Sequence, residues 1–280
     1  MSAPLSYQET PPGPQTPPVV SAYWRFDVHA LPHEGFVHRV WPDGCVSLLA
    51  VCVPIGETWR VVATVVRGIT RAPQDVPVQP GTRYVGIRFR AESGAAVLGV
   101  PAASLRDVSP MLTEVVGASA DSLARAVEAA LPQGDAAVHA AFDGWVAAQT
   151  ARVLARRSAS RGLVDDAVAR PVDHLVTSSG QAPMTDVAAA SGVALRTLQR
   201  RFVLAVGLTA KQFAQLRRAR AMLRRTIDDA LDERVGWSGV AAESGYADQA
   251  HLAREVRQYA QLSPTALKAW LSQIAHELVE

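Results

Sequence analysis

The sequence is poor in cysteine and contains no long apolar run. Two cysteines among 280 residues, Cys45 and Cys52, are too few for a disulfide framework or for a zinc site with four thiolates. No uncharged stretch reaches the ~18 apolar residues of a membrane-spanning helix. The first 20 residues also lack the basic and apolar regions of a secretion signal. We therefore expect a cytoplasmic protein that makes no contact with a membrane.

Acidic residues are absent from one long segment near the C-terminus. Residues 195–225 include nine basic side chains and no acidic one, although the net charge of the whole chain is only +2. Such a run is typical either of a solvated helix face or of a surface that binds a polyanion. Its position in the fold has to decide between these two readings.

The short motifs of nucleotide-binding and acyl-transfer enzymes are also missing, since the sequence contains no GxxxxGKS/T, GxGxxG or GxSxG. Three histidines, His29, His33 and His38, lie close together in the sequence. The helical zinc signature places two histidines four positions apart, whereas His33 and His38 are five apart in a segment of loop and strand character. We therefore expect no metal, no cofactor and no enzymatic activity.

The pattern of residues divides the chain into four parts. Residues 1–22 are rich in proline and are expected to be a flexible tail. Residues 23–110 alternate β-branched runs with turn residues, which predicts a small β-barrel or sandwich-like domain. Residues 111–164 carry apolar side chains at helical spacing and are expected to be a helical connector and linker. Residues 165–280 are predicted to be all-helical, with Pro171 opening the first helix, so the fold class is α+β.

The most informative pattern is an internal repeat in the last part. The sequence VAAASG at 187–192 recurs as VAAESG at 240–245. Small alanines allow two helices to cross closely, and glycine accepts the left-handed conformation of a tight turn. Each copy therefore predicts a helix, a turn and a second helix. This is the arrangement of a helix-turn-helix motif, whose second helix enters the major groove of DNA.

Residues from about 171 to 280 resemble the DNA-binding domain of AraC/XylS-type transcription regulators, in which a long helix joins two helix-turn-helix motifs. The segments that carry this resemblance are VAAASGVALRTLQRRF at 187–202, GLTAKQF at 207–213, GYADQAHLAREV at 245–256 and LSPTALK at 262–268. Nearer the N-terminus, VWPDGC at 40–45 and YVGIRF at 84–89 resemble the poorly characterised β-rich domain that precedes this module in some regulators. The resemblance implies an all-helical domain with two helix-turn-helix motifs.

The resemblance also implies which side chains read the bases. It places the first recognition helix at about 195–205 and starts the second at Asp248, a plausible N-cap residue. The expected base-contacting residues are Arg196, Gln199, Arg200, Gln249, His251 and Arg254. Arginine can form two hydrogen bonds with guanine, and glutamine can form two with adenine. Ala250 and Ala253 stand where polar readers would fit, so the second motif is expected to act mainly as a clamp on the backbone.

A connecting helix at 210–227 would span roughly 27 Å, which is comparable to the ~34 Å between successive faces of the major groove. Thr209 and Lys211 at its start, together with Arg201, are expected to contact phosphates. Family members usually place a serine cap before the first recognition helix, whereas this sequence has Ala194. The lost cap is expected to cost about 1 kcal/mol of local stability.

The sequence thus predicts a one-component transcription regulator, either an activator or a repressor. Its expected partners are double-stranded DNA, RNA polymerase, a small-molecule effector and a second copy of the chain. The N-terminal domain would sense the effector or hold the dimer. Trp24, Trp41 and Trp59 could line a small cavity there, although core packing is the expected role of each ring. The alternative is a cupin-like, small-molecule-binding or metal-dependent enzyme fused to an autoregulatory DNA-binding domain.

Overall fold

The computed structural model describes residues 4–156, 162–232 and 246–270, with the backbone alone at 226–232. Its N-terminal part is built on antiparallel β-sheet and its C-terminal part is helical, which confirms the α+β class. The strands in the described part are β1 (Leu5–Thr10), β2 (Val20–Val28), β3 (Val37–Val40), β4 (Ser47–Ile55), β5 (Thr58–Arg67), β6 (Gln74–Pro77) and β7 (Arg83–Phe89).

Strands β1, β2, β7, β4 and β5 form one antiparallel sheet in this order, and β3 pairs with β6 in a small second sheet. Because neighbouring residues of a strand point to opposite faces, β2 presents different side chains to the two sides of the large sheet. Phe26 stacks on His38 of the small sheet, with 4.3 Å between ring centroids. Tyr23 instead stacks on His139 of a helix, at 4.1 Å. The large sheet is therefore covered on both faces, as in a sandwich.

The helices of the N-terminal part are α1 (Gly94–Leu98), α2 (Leu112–Val116), α3 (Ser119–Ala130) and α4 (Asp135–Arg156), with a short 3-10 helix at Ala102–Leu105. The helical pair expected within 111–164 is present, but it packs onto the sheet and does not form a separate connector. Leu123, Val127 and Phe142 have no exposed surface, and the Glu128 carboxylate accepts a hydrogen bond of 2.9 Å from the backbone N–H of Val61. Helical spacing reveals an apolar face without showing what that face covers.

The prediction of a flexible tail at 1–22 is wrong for residues 5–10. Residues 5–10 form β1, which pairs antiparallel with β2 from Leu5 opposite Val28 to Thr10 opposite Tyr23. Leu5 is only 2% exposed because it enters the cluster between the two sheets. The prolines at 11–18 belong to the connection between the two strands. A single buried leucine beside a proline-rich segment is too weak a signal to reveal an edge strand.

The C-terminal helices are α5 (Asp166–Thr177), α6 (Met184–Ser191), α7 (Leu195–Val206), α8 (Ala210–Asp232) and α9 (Gln249–Ala260), and residues 264–270 are also helical. The expectation that Pro171 opens the first helix is wrong, because the side chain of Asp165 caps that helix by accepting a bond of 3.1 Å from the N–H of Ala167. The second copy of the repeat, at 240–245, lies outside the described residues. In the ranges described above, no helix is both long enough and apolar enough to cross a membrane.

Candidate nucleic-acid interface

The turn between α6 and α7 is held by its own hydrogen bonds. Gly192 ends α6 in the left-handed region, with φ of 67°, which a side chain at this position would disfavour. The hydroxyl of Ser191 donates to the carbonyl of Ala188 at 2.6 Å and accepts from the N–H of Val193 at 3.2 Å. The geometry confirms the helix, turn and helix predicted from residues 187–202.

Helix α7 has one buried face and one exposed face. Leu198 and Phe202 are at most 1% exposed and anchor the helix in the core. Arg196, Gln199 and Arg200 are exposed on the other face, where their spacing of three and four residues places them side by side. These side chains together offer donors and acceptors that suit the edges of guanine and adenine.

The N-terminus of α7 lacks a side-chain cap, as its sequence predicts. Ala194 is the N-cap residue, and its side chain makes no capping hydrogen bond. The helix is held by its buried face, where the rings of Phe202 and Phe213 lie 5.9 Å apart. Tertiary packing therefore takes the place of the missing cap.

The basic run at 195–225 is divided between two environments. Lys211 is exposed, whereas Arg218 and Arg220 are half-buried and turned toward other parts of the protein. The Nε atom of Arg218 lies 3.5 Å from a carboxylate oxygen of Glu255, and Arg220 donates a 3.0 Å hydrogen bond to Asp43. Part of the positive charge thus serves internal ion pairs, and only the remainder faces solvent.

Two of the three expected phosphate contacts have other partners in the structure. Thr209 and Gln212 cap α8 reciprocally, since the N–H of Gln212 donates to the Thr209 hydroxyl at 3.1 Å and the Gln212 side chain accepts from the N–H of Thr209 at 3.0 Å. Arg201 lies 3.3 Å from the carboxylate of Asp165, an ion pair within the same domain. Lys211 is exposed at the start of α8.

Helix α9 begins as its sequence predicts. The side chain of Asp248 is the N-cap and accepts a hydrogen bond of 2.6 Å from the N–H of His251. Gln249 and Arg254 are exposed. The ring of His251 is half-buried and meets the ring of Tyr246 edge-on, with 5.4 Å between centroids. Of the three expected readers on this helix, two face solvent and the third packs against a neighbour.

A small cluster between α8 and α9 was not anticipated from the sequence. Tyr246 and Glu255 are buried at 5% and 8% exposure, and the guanidinium of Arg218 lies 5.5 Å from the centre of the Tyr246 ring. Burial raises the pKa of Tyr246, and the nearby carboxylate of Glu255 raises it further. His251 lies 3.6 Å from Glu255, four residues away on the same helix. The spacing of four residues between His251 and Glu255, which places them on one face of the helix, is the feature of the sequence that indicates this cluster.

The three N-terminal histidines have separate neighbours. His29 lies 3.5 Å from the hydroxyl of Ser6, His33 meets the ring of Phe36 edge-on, and His38 stacks on Phe26. Within the described part of the chain, no three His, Cys, Asp or Glu side chains are grouped as ligands of a metal ion.

The tryptophans of the N-terminal domain do not line a common cavity. Trp24 packs in the cluster between the two sheets. Trp59 lies under the guanidinium of Arg83 at 4.6 Å, and Trp41 stacks on Tyr259 of α9 at 5.8 Å. Each ring therefore packs against a core cluster, which is the role expected from the sequence.

The N-terminal domain borders the first recognition helix. A groove of about 1240 Å³ separates α1 from the C-terminal half of α7. Ala96 and Val100 line it on one side, and Arg200 and Leu204 line it on the other. One of the expected base readers therefore stands at the edge of the contact between the two domains.

Two family models match the chain. One, described as a helix-turn-helix domain, covers residues 187–269, and the other, a domain of unknown function (DUF6597), covers residues 8–110. No curated protein matches the sequence. The first of these models spans α7, α8 and α9, the elements that carry every expected DNA contact.

Solved structures of ToxT from Vibrio cholerae are also similar to the chain. A single-substitution variant of apo ToxT is 10% identical, covers 89% of this chain and 97% of its own, and has a TM-score of 0.44. ToxT from strain O395 is 10% identical over 98% of both chains, with a TM-score of 0.41. ToxT bound to an unsaturated fatty acid is 8% identical over 98% of this chain and 95% of its own, with a TM-score of 0.37.

The family match agrees with the geometry of the described helices. A glycine turn joins α6 to α7, a long helix follows, and α9 carries a second exposed polar face. The chain is thus a DNA-binding transcription regulator whose residues 187–269 form a helix-turn-helix domain of the AraC/XylS type.

Proposed function

We propose that the chain is a one-component, sequence-specific regulator of transcription that acts in the cytoplasm. Its ligand is double-stranded DNA, and RNA polymerase is a further partner. A small molecule or a second copy of the chain modulates it through the N-terminal domain, in which the sheet is covered by α3 and α4. The DNA-binding domain extends over 165–280.

The exposed face of α7 carries this proposal. Leu198 and Phe202 fix the buried side of the helix, so Arg196, Gln199 and Arg200 are left facing solvent. Each of these three side chains can form two hydrogen bonds with one base edge in the major groove. We therefore assign α7 as the principal reader of sequence.

Helix α9 has a smaller role in reading the bases. Gln249 and Arg254 are exposed, but Ala250 lies between them and His251 is held against Tyr246. With fewer free polar groups, α9 contributes contacts of lower base specificity and positions the protein on the second groove.

Phosphate contacts come from the start of α8 and from Arg201 in the middle of α7. Lys211 and the first amides of α8 meet one phosphate, where the helix dipole also favours negative charge. The reciprocal cap with Gln212 holds Thr209 in place for this contact. Arg201 reaches a phosphate by exchanging its ion pair with Asp165, which is 40% exposed on both side chains.

Selection of binding sites from a random duplex library tests the proposal. The purified full chain is incubated with the library at near-physiological salt, because phosphate contacts alone support non-specific binding at low salt. We expect enrichment of a motif with two half-sites about one helical turn apart. A doubly substituted Arg196→Ala, Arg200→Ala protein is the matched control and should enrich no such motif. Failure of the unmodified chain to enrich any motif contradicts the proposal.

A further inference from the structure

One loop of the N-terminal domain touches both halves of the DNA-binding domain. Residues 41–45, with the sequence Trp-Pro-Asp-Gly-Cys, connect β3 to β4 and are called the 41–45 loop. The hydroxyl of Tyr259, on α9, donates a buried hydrogen bond of 2.8 Å to the carbonyl of Pro42. The Trp41 ring stacks on the Tyr259 ring and meets Trp270 edge-on at 5.3 Å. The loop therefore packs against the second recognition helix near the C-terminal end of that helix.

The same loop carries a carboxylate that forms an ion pair with one arginine of α8. The carboxylate of Asp43 lies 3.0 Å from the guanidinium of Arg220 on α8 and 2.8 Å from that of Arg88 on β7. Both ends of these pairs are mostly buried, with side-chain exposures of 14–20%. Burial would raise the pKa of Asp43, but Arg88 and Arg220 hold it below its ordinary range. Without Asp43, Arg220 would lose this buried counter-charge, whereas Arg88 would keep its second ion pair, with Glu9 at 2.9 Å.

The fit between the loop and α8 is close. Gly44 adopts φ of 75°, and a Cβ atom built on it would lie 2.7 Å from the ring of Phe213. Phe213 has no exposed surface and packs on Phe202 of α7. The loop therefore contacts Phe213, which packs on the first recognition helix, as well as Tyr259 on the second, so its position is coupled to both helices through close packing.

We propose that the 41–45 loop is a positioning element that sets the distance and angle between α7 and α9, and thereby the spacing of half-sites that the protein prefers. This inference rests on the proposed function, since it concerns how the two helices engage one duplex. Two linked contacts gain affinity only where the geometry lets both form together. A protein with a loosened loop should keep its affinity for each half-site and lose its preference for one spacing.

Two substitutions in the full chain test the role of the loop. Asp43→Asn removes the charge that pairs with Arg220 and keeps the side-chain shape, whereas Tyr259→Phe removes only the hydrogen bond to Pro42. Asp173→Asn is the matched control, because Asp173 forms another ion pair between the domains, with Arg90, from α5 and not from a recognition helix. Thermal unfolding identifies any variant that fails to fold, and Tyr259→Phe then carries the test.

The probes are the duplex that the unmodified protein selects, versions with one to three base pairs inserted or removed between the half-sites, and a duplex with one half-site scrambled. We expect Asp43→Asn and Tyr259→Phe to lose about tenfold in affinity on the selected duplex and less than about twofold on the single half-site. For these two variants, affinity should change less from one spacing to the next than it does for the unmodified protein or for Asp173→Asn.

Each remaining outcome counts against the inference. An equal loss on the selected duplex and on the single half-site means that the loop only stabilises the fold. A spacing preference that both variants retain, or a selected site with one half-site only, also overturns it. If the unmodified protein selects no duplex, the proposed function fails, and this result is distinct from the three outcomes above.

Discussion

The rings of Phe202 and Phe213 lie 5.9 Å apart, and neither has any surface exposed to solvent. Phe202 belongs to α7 and Phe213 to α8, so this contact joins the first recognition helix to the helix that follows it. Since Ala194 provides no side-chain cap, the orientation of α7 depends on this buried face.

Replacing Phe202 by Ala should destabilise the protein by about 3–5 kcal/mol, because the large cavity left between α7 and α8 cannot close fully. Urea unfolding followed by circular dichroism measures the change. Val203→Ala is the control, since Val203 is the next residue on the same helix and is 37% exposed. It should change stability by less than about 1 kcal/mol. Similar values for the two variants would contradict the role given to the aromatic contact.

Replacing Arg200 by Ala tests reading of the bases. Arg200 is exposed on the face of α7 opposite Leu198, where it can bond one guanine through two hydrogen bonds. We expect a cost of roughly 1–3 kcal/mol on the selected duplex and weaker discrimination at one or two base pairs. Fluorescence titration on the selected and on single-base-substituted duplexes measures both. If affinity falls uniformly with discrimination unchanged, α7 is not the principal reader.

Replacing Lys211 by Ala tests phosphate contact at the start of α8. The side chain is exposed beside the amides of the helix N-terminus and faces no base edge in the proposed arrangement. All sequences should be bound more weakly by a similar factor, and the slope of log affinity against log salt should fall by about one. Titrations of selected and scrambled duplexes across a salt series measure this slope. An unchanged slope would mean that Lys211 does not contact a phosphate.

Much of the DNA-binding domain could be predicted because its signals are local. The repeat VAAASG placed the first turn, and the structure ends α6 at Gly192 in the left-handed conformation. Asp248 was predicted to begin α9, and its carboxylate caps that helix. Turn glycines, capping residues and apolar periodicity act over a few residues, so a single sequence contains them in full.

The failures arise where a residue depends on a distant partner. Arg220 belongs to a basic run that suggested a surface for polyanions, yet it binds Asp43, which is 177 positions away in the sequence. Leu5 lies in what looked like a flexible tail, yet it is buried opposite Val28. The packing of the two domains decides which arginines face solvent, and no local pattern contains that information.

The last prediction concerns His38 and the pH dependence of stability. Burial, together with the positive charge of Arg67, lowers the pKa of His38 from its ordinary value to about 4. In the unfolded chain this histidine has a pKa of about 6.5, so between pH 6.5 and 4 the unfolded state binds the extra proton. Stability contributed by the neutral ring is therefore fully present above pH 6.5 and is lost as the pH falls toward 4, by at most about 3 kcal/mol.

The substitution His38→Phe keeps an aromatic ring against Phe26 and removes the titrating group. Urea unfolding between pH 4.5 and 7.5 measures the free energy of unfolding of both proteins. The upper end of this range lies about one unit above the ordinary pKa of histidine. We expect the unmodified protein to lose more stability than His38→Phe on acidification, because only its unfolded state gains a proton at this position. His33→Phe is the matched histidine variant, since it makes the same exchange at an exposed position. If His38→Phe and the unmodified protein lose stability in parallel, His38 takes up its proton equally in the folded and unfolded states. The packing between the two sheets then does not lower its pKa.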